Sequence, residues 1–306
     1  MTDELPVLMP DLQVSFFYKL KKVSDLQLAP ALAREIERID LNQINHELSQ
    51  YVPAAALSRL AQHGLRGETF FPLPCVLKGN PFLLAYYRLL LGFSQKEFYK
   101  SRNFGKFKKL EDQGTVGSLE DRDLQNLSHV LCHSSASLLM RIDEVSMSSI
   151  RDMQIMMLGA QFRGGENNRI GQEAILDVYD LIATLASDYI IDRTDRTIVL
   201  ENDSKRKVIV EFASDPDVRV VQSLGSGVRP ILSIEIKGGG DVSNIHNRLG
   251  EAEKSHQKAR QLGCFEFWTI VKADVDENLA KYESPTTSRF FSLERIRTPG
   301  DDQYPT

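Results

Sequence analysis

Three side chains in this sequence have the types and the spacing to manage a divalent cation and an attacking water. Asp217 follows Pro216; after the Gly/Ser-rich turn SLGSG, Glu235 and Lys237 stand two apart in ILSIEIKGGGDVSN, residues 231–244. In an extended chain alternate residues share a face, so Ser233, Glu235 and Lys237 line one side and Leu232, Ile234 and Ile236 the other. Two carboxylates held close together repel unless a positive charge lies between them, and hard divalent cations prefer oxygen ligands. Magnesium binds through one or two protein carboxylates and keeps several waters, which leaves places for a phosphate oxygen and a nucleophilic water. A neighbouring lysine can orient or deprotonate that water, or stabilise charge building on the phosphate. These are the parts needed to hydrolyse a phosphodiester. The same residues also read as ordinary structure, with Glu235 and Lys237 a surface ion pair on an edge strand and Asp217 a turn residue after proline. Asp215 and Glu211 are rival acids.

The elements that must position these groups lie in the second half of the chain. Residues 170–190 have helical periodicity, TIVLEN (197–202) and KVIVEFA (207–213) read as strands, and the polar DSKR between them as a hairpin turn. PDVRVVQ (216–222) continues as a strand, SLGSGVRP turns, and ILSIEIK returns, so that Asp217, Glu235 and Lys237 meet at one sheet end. A helix over 244–263 follows, with Ile245, Leu249, Ala252, His256 and Ala259 on one face, then a strand FEFWTIV at 265–271. This order predicts a mixed α/β domain with helices packed on a sheet. From Ser284, SRFFSLERI reads as an ordered element and TPGDDQYPT as a loose tail.

The first half reads as mostly helical. Leu28, Leu32, Ile36 and Ile39 form one stripe, with Pro30 in the first turn, and Leu124, Leu127, Leu131 and Leu138 form another. The most apolar helix candidate is 81–99, where Gly92 and Ser94 suggest a stop or a cap. Five of the seven methionines fall between Met140 and Met157, and Ile150, Met153, Met157 and Ala160 share a helical face suited to a core seam or a subunit contact. FRGGENN (162–168) breaks the helical pattern and marks the internal boundary.

With 306 residues, 42% hydrophobic and 26% charged, the chain can bury a substantial core. No run approaches the roughly 18 apolar residues of a membrane span, and the N-terminus lacks a secretory pattern, so a cytoplasmic protein without membrane contact is expected. Cys75, Cys132 and Cys264 have no metal-binding spacing and read as buried thiols. A formal charge of −5 argues against coating nucleic acid by bulk charge alone. Locally, FYKSRNFGKFKK carries Lys100, Arg102, Lys106, Lys108 and Lys109 among four aromatics, a composition that meets phosphates or bases, or else a solvated edge whose aromatics pack on the body.

Pro216-Asp217, a strand-turn-strand interval, then Glu235-Ile236-Lys237 resembles the signature of the PD-(D/E)XK nuclease superfamily, and the surrounding elements match its core over about residues 170–271. More widely, MPDLQVSFFY, NPFLLAYYRLLLGFSQKEFY and EIKGGGDVSNIHNRLGEAEKSHQKA resemble type II restriction endonucleases of the XcyI kind, similar in specificity to XmaI. The resemblance implies a restriction-endonuclease-like core over 166–306, a central mixed β-sheet flanked by helices, preceded by a mainly helical region over 1–165 for scaffolding, DNA recognition and dimerisation. It implies a Mg2+-dependent homodimer that hydrolyses double-stranded DNA at a palindrome such as CCCGGG and leaves 5′-phosphate ends. A cognate DNA methyltransferase belongs to the same system, with no stable complex implied. On this reading Asp217, Glu235 and Lys237 are catalytic, and Asp217, Glu235 and the Ile236 carbonyl hold the metal. Glu173, Glu211, Glu251 and Glu253 are accessory acids, although Glu173 suits a helix start in any protein and Glu251 and Glu253 also pair with Lys254 and Lys258 as helix-face charges. His256 reads as a packed, hydrogen-bonded histidine, and GGGDVSN either presents backbone N–H groups to a phosphate or simply turns. Arg102, Asn103, Lys106, Arg163, Asn167, Asn168 and Arg169 are base-contact candidates by type and loop position alone. The rival readings are a non-catalytic sequence-specific DNA-binding protein and a structure-selective repair nuclease on the same core.

Overall fold

The computed structural model describes residues 10–304 apart from Ser226, Asp241 and Asp274. The readings that fall on 1–9, on Ser226 of SLGSG, on Asp241 after the glycine run and on the last two residues therefore lie outside the described residues. The chain divides into two compact units, Met1–Gly164 and Gly165–Thr306.

The first unit is helical: α1 (Asp11–Gln27), α2 (Ala29–Ile36), α3 (Leu41–Tyr51), α4 (Ala54–Gln62), α5 (Pro74–Gly79), α6 (Leu84–Leu90), α7 (Gln95–Lys100), α8 (Lys108–Gln113), α9 (Asp121–Leu139) and the first part of α10 (Met147–Leu185). Pro30 sits in the first turn of α2, where a missing N–H leaves no helical bond unmade. The apolar run 81–99 divides at the Gly92 and Ser94 signals into α6 and α7. Gly92 takes a left-handed φ of 78° that ends α6, and Ser94 caps α7 with a full capping box to Glu97. Leu32, Ile44, Leu60, Phe70, Leu124, Leu127, Leu131 and Ile150 belong to one continuous core, so the leucine stripe of 124–131 faces inward, whereas Leu28 packs in a separate cluster with Leu89 and Leu158, and Ala160 of the methionine stripe is exposed. Within it Arg88 and Glu111 form a fully buried ion pair, joined by Tyr99 and Gln95.

FRGGENN does not break the chain: α10 is helical from Met147 to Leu185. Glycine costs about 1 kcal/mol relative to alanine in a helix interior, and no proline stands in the run. Buried Ile150 and Leu158 before it, and Ala174 and Val178 after it, anchor the helix at both ends.

The second unit is a seven-stranded sheet in sequence order: β1 (Ile190–Arg193), β2 (Thr197–Glu201), β3 (Lys207–Phe212), β4 (Val218–Leu224), β5 (Gly227–Lys237), β6 (Glu266–Val271) and β7 (Arg289–Ser292). β1 to β5 form an antiparallel meander, while β5, β6 and β7 run parallel through crossovers that contain α11 (Ile245–Gln261) and α12 (Glu277–Glu283). The expected mixed α/β architecture is therefore present. One face of the sheet, with Ile198, Val210, Ile234, Ile236 and Ile270, shares a core with Ala174, Val178 and Ala183 of α10. On the other face α11 meets β5 through side-chain hydrogen bonds.

Sequence periodicity misplaced some boundaries. SLGSGVRP is not all turn, since β4 and β5 pair as far as Leu224 and Gly227; Pro230 lies where the register shifts, at a bulge that spares the ladder an amide. β1 and α12 carried too little apolar pattern to be seen. The final segment is tied down rather than loose: Gln303 Oε1 accepts from the Ser292 amide at 2.8 Å, and Arg295 pairs with Asp301 and Asp302. The three cysteines are free and buried, and burial pushes the Cys75 and Cys132 thiols up to about 12. Among the described residues no helix is long and apolar enough to cross a membrane.

Candidate active site

The register of one hairpin assembles the site. β4 and β5 run antiparallel with Val218 opposite Ile234, so the residue before Val218 comes beside the residue after Ile234. Asp217 Oδ2 accepts the Ile236 amide at 2.7 Å. Lys237 Nζ stands 2.6 Å from Glu235 Oε2 and 3.9 Å from Asp217 Oδ2, so one ammonium faces both carboxylates. The edge-strand ion pair is excluded, because β5 is bonded to β4 on one side and β6 on the other, and Glu235 is only 4% exposed. Buried charges at such a position are costly unless paired and hydrogen-bonded.

The electrostatics follow from that burial. Desolvation, then the charge of Glu235, pushes the Asp217 carboxyl up to about 6 despite the Ile236 amide and Lys237. Burial alone would lower Lys237, but Glu235 and Asp217 outweigh it and hold the group above its ordinary value, so it is a cation at neutral pH.

A second ring of contacts holds Glu235 from α11. Ser255 Oγ lies 2.5 Å from Glu235 Oε1 and 2.7 Å from Asp215 Oδ1, and Lys258 Nζ pairs with Asp215 Oδ2 at 2.7 Å. Asp215 thus belongs to the support of the site. His256 is fully buried, with Nε2 3.0 Å from Thr269 Oγ1 and Nδ1 3.4 Å from Ser233 Oγ; burial pushes it down to about 4, so it is a neutral packing residue as expected. At Lys237, though not at Asp217 or Glu235, opens a cleft of about 480 Å³, lined also by Gly238, Gly239, Asn247, Arg248 and Glu251.

Among the described residues no three His, Cys, Asp or Glu side chains cluster as a metal site. The oxygen donors brought together at the centre are the carboxylates of Asp217 and Glu235, a small and hard set of the kind magnesium accepts while keeping most of its waters.

The family model for the XcyI restriction endonuclease matches residues 17–306. The chain belongs to the XcyI restriction endonuclease family. It is similar to the type II restriction enzyme XcyI of Xanthomonas campestris pv. cyanopsidis, at 41% identity over 96% of this chain and 91% of that protein. It is also similar to the type II restriction enzyme Cfr9I of Citrobacter freundii, at 39% identity over 99% and 94%. No solved structure matches the chain significantly.

In this XcyI-family chain the other candidates fall apart spatially. Glu251 lines the cleft and adds to the field that holds Lys237 charged. Glu253 instead turns to the 284–287 segment, accepting from the Thr286 amide at 2.9 Å and its hydroxyl at 2.6 Å. Glu211 is engaged by Arg219 across β3 and β4 at 2.6 Å, and Glu173 by Arg169, which also binds Glu166. Arg163 and Asn168 project from exposed turns of α10, while Asn167 lines the cleft. In the first unit Arg102, Asn103 and Lys106 line a separate pocket, with Lys106 paired to Asp123, and the aromatics of that stretch pack on one another. Sequence reading missed Ser255 and Arg248. A serine on the sheet-facing side of a helix was a weak signal for the first; three glycines before an arginine one helical turn in were the signal for the second.

Proposed function

We propose that the protein is a type II site-specific deoxyribonuclease that hydrolyses both strands of duplex DNA at a palindrome of the CCCGGG kind, with Mg2+, leaving 5′-phosphate ends. The observation that carries this reading is the meeting of Asp217, Glu235 and Lys237 at the ends of β4 and β5. Membership of the XcyI family supports the reaction class. A two-fold DNA site calls for a homodimer, each subunit cutting one strand. Work in the cytoplasm beside a cognate methyltransferase, without a stable complex, follows from the same reading.

Asp217, Glu235 and the Ile236 carbonyl would hold the metal, which when bound supplies Lewis acidity to the scissile phosphate and acidifies water. Lys237 remains an ammonium at neutral pH. It therefore orients the attacking water and donates to the phosphate oxygens as charge develops, and does not abstract the proton. Water oxygen bonds to phosphorus, the P–O3′ bond breaks, the departing O3′ takes a proton from solvent water, and the products are a 3′-hydroxyl and a 5′-phosphate. On this reading Glu251, exposed at the cleft, relays the proton lost by the water to solvent.

Incubation of purified protein with plasmid DNA, with Mg2+ or with EDTA, and sequencing of the ends tests this. Discrete Mg2+-dependent fragments that share one palindromic end are expected. Intact DNA bound by well-folded protein would establish the non-catalytic reading, and ends without a shared sequence the structure-selective one.

A further inference from the structure

Arg248 sits in the second turn of α11, half-buried, and lines the same cleft as Lys237. Its guanidinium donates to the Gly239 carbonyl, two residues beyond Lys237. Some cations of this unit are held by carboxylates: Arg169 by Glu166 and Glu173, Arg219 by Glu211, Lys258 by Asp215. Among the described residues Arg248 has no such partner, and a backbone carbonyl leaves most of its five donors uncommitted.

Gly239 makes this placement possible. A Cβ there would overlap the Arg248 guanidinium, whereas at Gly238 a Cβ would instead press on Ala174 and on the Ile170 carbonyl, 2.9 Å away. The two adjacent glycines thus do different things: Gly238 lets the strand end pass close to α10, and Gly239 leaves space for an arginine. A planar, permanently charged fork held beside a hydrolytic lysine in an open cleft fits a phosphodiester oxygen pair.

We propose that Arg248 binds a backbone phosphate of the DNA strand that lies across Lys237, with Gly239 as the spacer that admits its guanidinium. This rests on the nuclease reading above. It adds a positioning residue from α11 to the groups on the hairpin, and it assigns Arg248 to the sugar-phosphate backbone and not to base edges.

The test uses the full-length protein in EDTA, so that no cutting occurs, with a fluorescein-labelled duplex centred on CCCGGG and an isomer with that hexamer scrambled. Arg248→Ala is expected to weaken binding to both duplexes by a similar factor, about tenfold, and to lower the slope of log K against log salt by about 0.9, the value for one phosphate contact. Gly239→Ala is expected to lower the slope in the same direction with an unchanged melting temperature, because the flexible arginine is what gives way. With Mg2+, Arg248→Ala cleavage at saturating enzyme should fall about 100-fold. An unchanged salt slope in Arg248→Ala overturns the proposal, as does a loss confined to the CCCGGG duplex, which would make Arg248 a base reader. Wild-type protein that fails to cut is a distinct result, sinking the nuclease reading while leaving the binding comparison interpretable.

Discussion

Ser255 Oγ lies 2.5 Å from Glu235 Oε1 and 2.7 Å from Asp215 Oδ1, so a single hydroxyl proton faces two carboxylates. A hydroxyl donates one hydrogen, and sharing it fixes Glu235 against rotation while Lys237 holds its other oxygen. Ser255→Ala is expected to lower the cleavage rate about tenfold and to raise the Mg2+ concentration needed for half-maximal rate, with Ser255→Thr recovering part of both. An unaltered metal requirement in Ser255→Ala would mean that the serine only fills space.

Lys237→Ala removes the ammonium that faces both carboxylates. Cutting is expected to drop by at least about 10³-fold, whereas specific binding of the duplex remains measurable, since one donor of many is lost. Single-turnover cleavage and anisotropy on the same preparation check this. Full turnover in the variant would remove Lys237 from the mechanism.

Asp217 should show itself in the metal-free protein. Its carboxyl is pushed up to about 6 by burial and by Glu235, above its value in the unfolded chain, so the native state holds the proton more tightly than the unfolded state does. The stabilisation from this proton is present at low pH and disappears as pH rises through about 6, where the ionised group becomes a penalty. Asp217→Asn in EDTA at pH 7.5 is therefore expected to melt about 2–4 °C above wild type, for roughly 1 kcal/mol, although it does not cut. A melting point at or below wild type would contradict the buried, repelled carboxylate.

The opposite sign applies to Glu111. Burial would raise its pKa, but two hydrogen bonds and the charge of Arg88, with Tyr99 and Gln95, carry it below the ordinary value. Its contribution is present above the unfolded pKa and is lost as pH falls through the lower folded one. Arg88→Ala, which strands a buried carboxylate, should cost about 3–5 kcal/mol. Urea midpoints from pH 6 to 3.5 should fall less steeply in Glu111→Gln than in wild type; parallel profiles would show that the pair is not what acid attacks.

Much of this protein was legible before any coordinates. Alternation in ILSIEIK settled which residues of β5 turn to the apolar core, and the Pro-Asp and Glu-x-Lys spacing named three side chains that the hairpin then brought together. Stripes such as Leu124, Leu127 and Leu131 sufficed for the helices, because burial of one face every 3.6 residues is written in the order of the residues themselves. What the sequence left open depends on groups distant in the chain. Glu251 and Glu253 differ by two positions on α11, yet one faces the cleft and the other is captured by Thr286. Glu211 looked available until β4 placed Arg219 opposite it. FRGGENN carried two adjacent glycines and two asparagines, local signs of a break, but anchoring side chains on either side kept α10 helical. Local periodicity fixes which face of an element is apolar; only the packing of one element against another decides which polar side chains on the remaining face find partners and which stay available for a substrate.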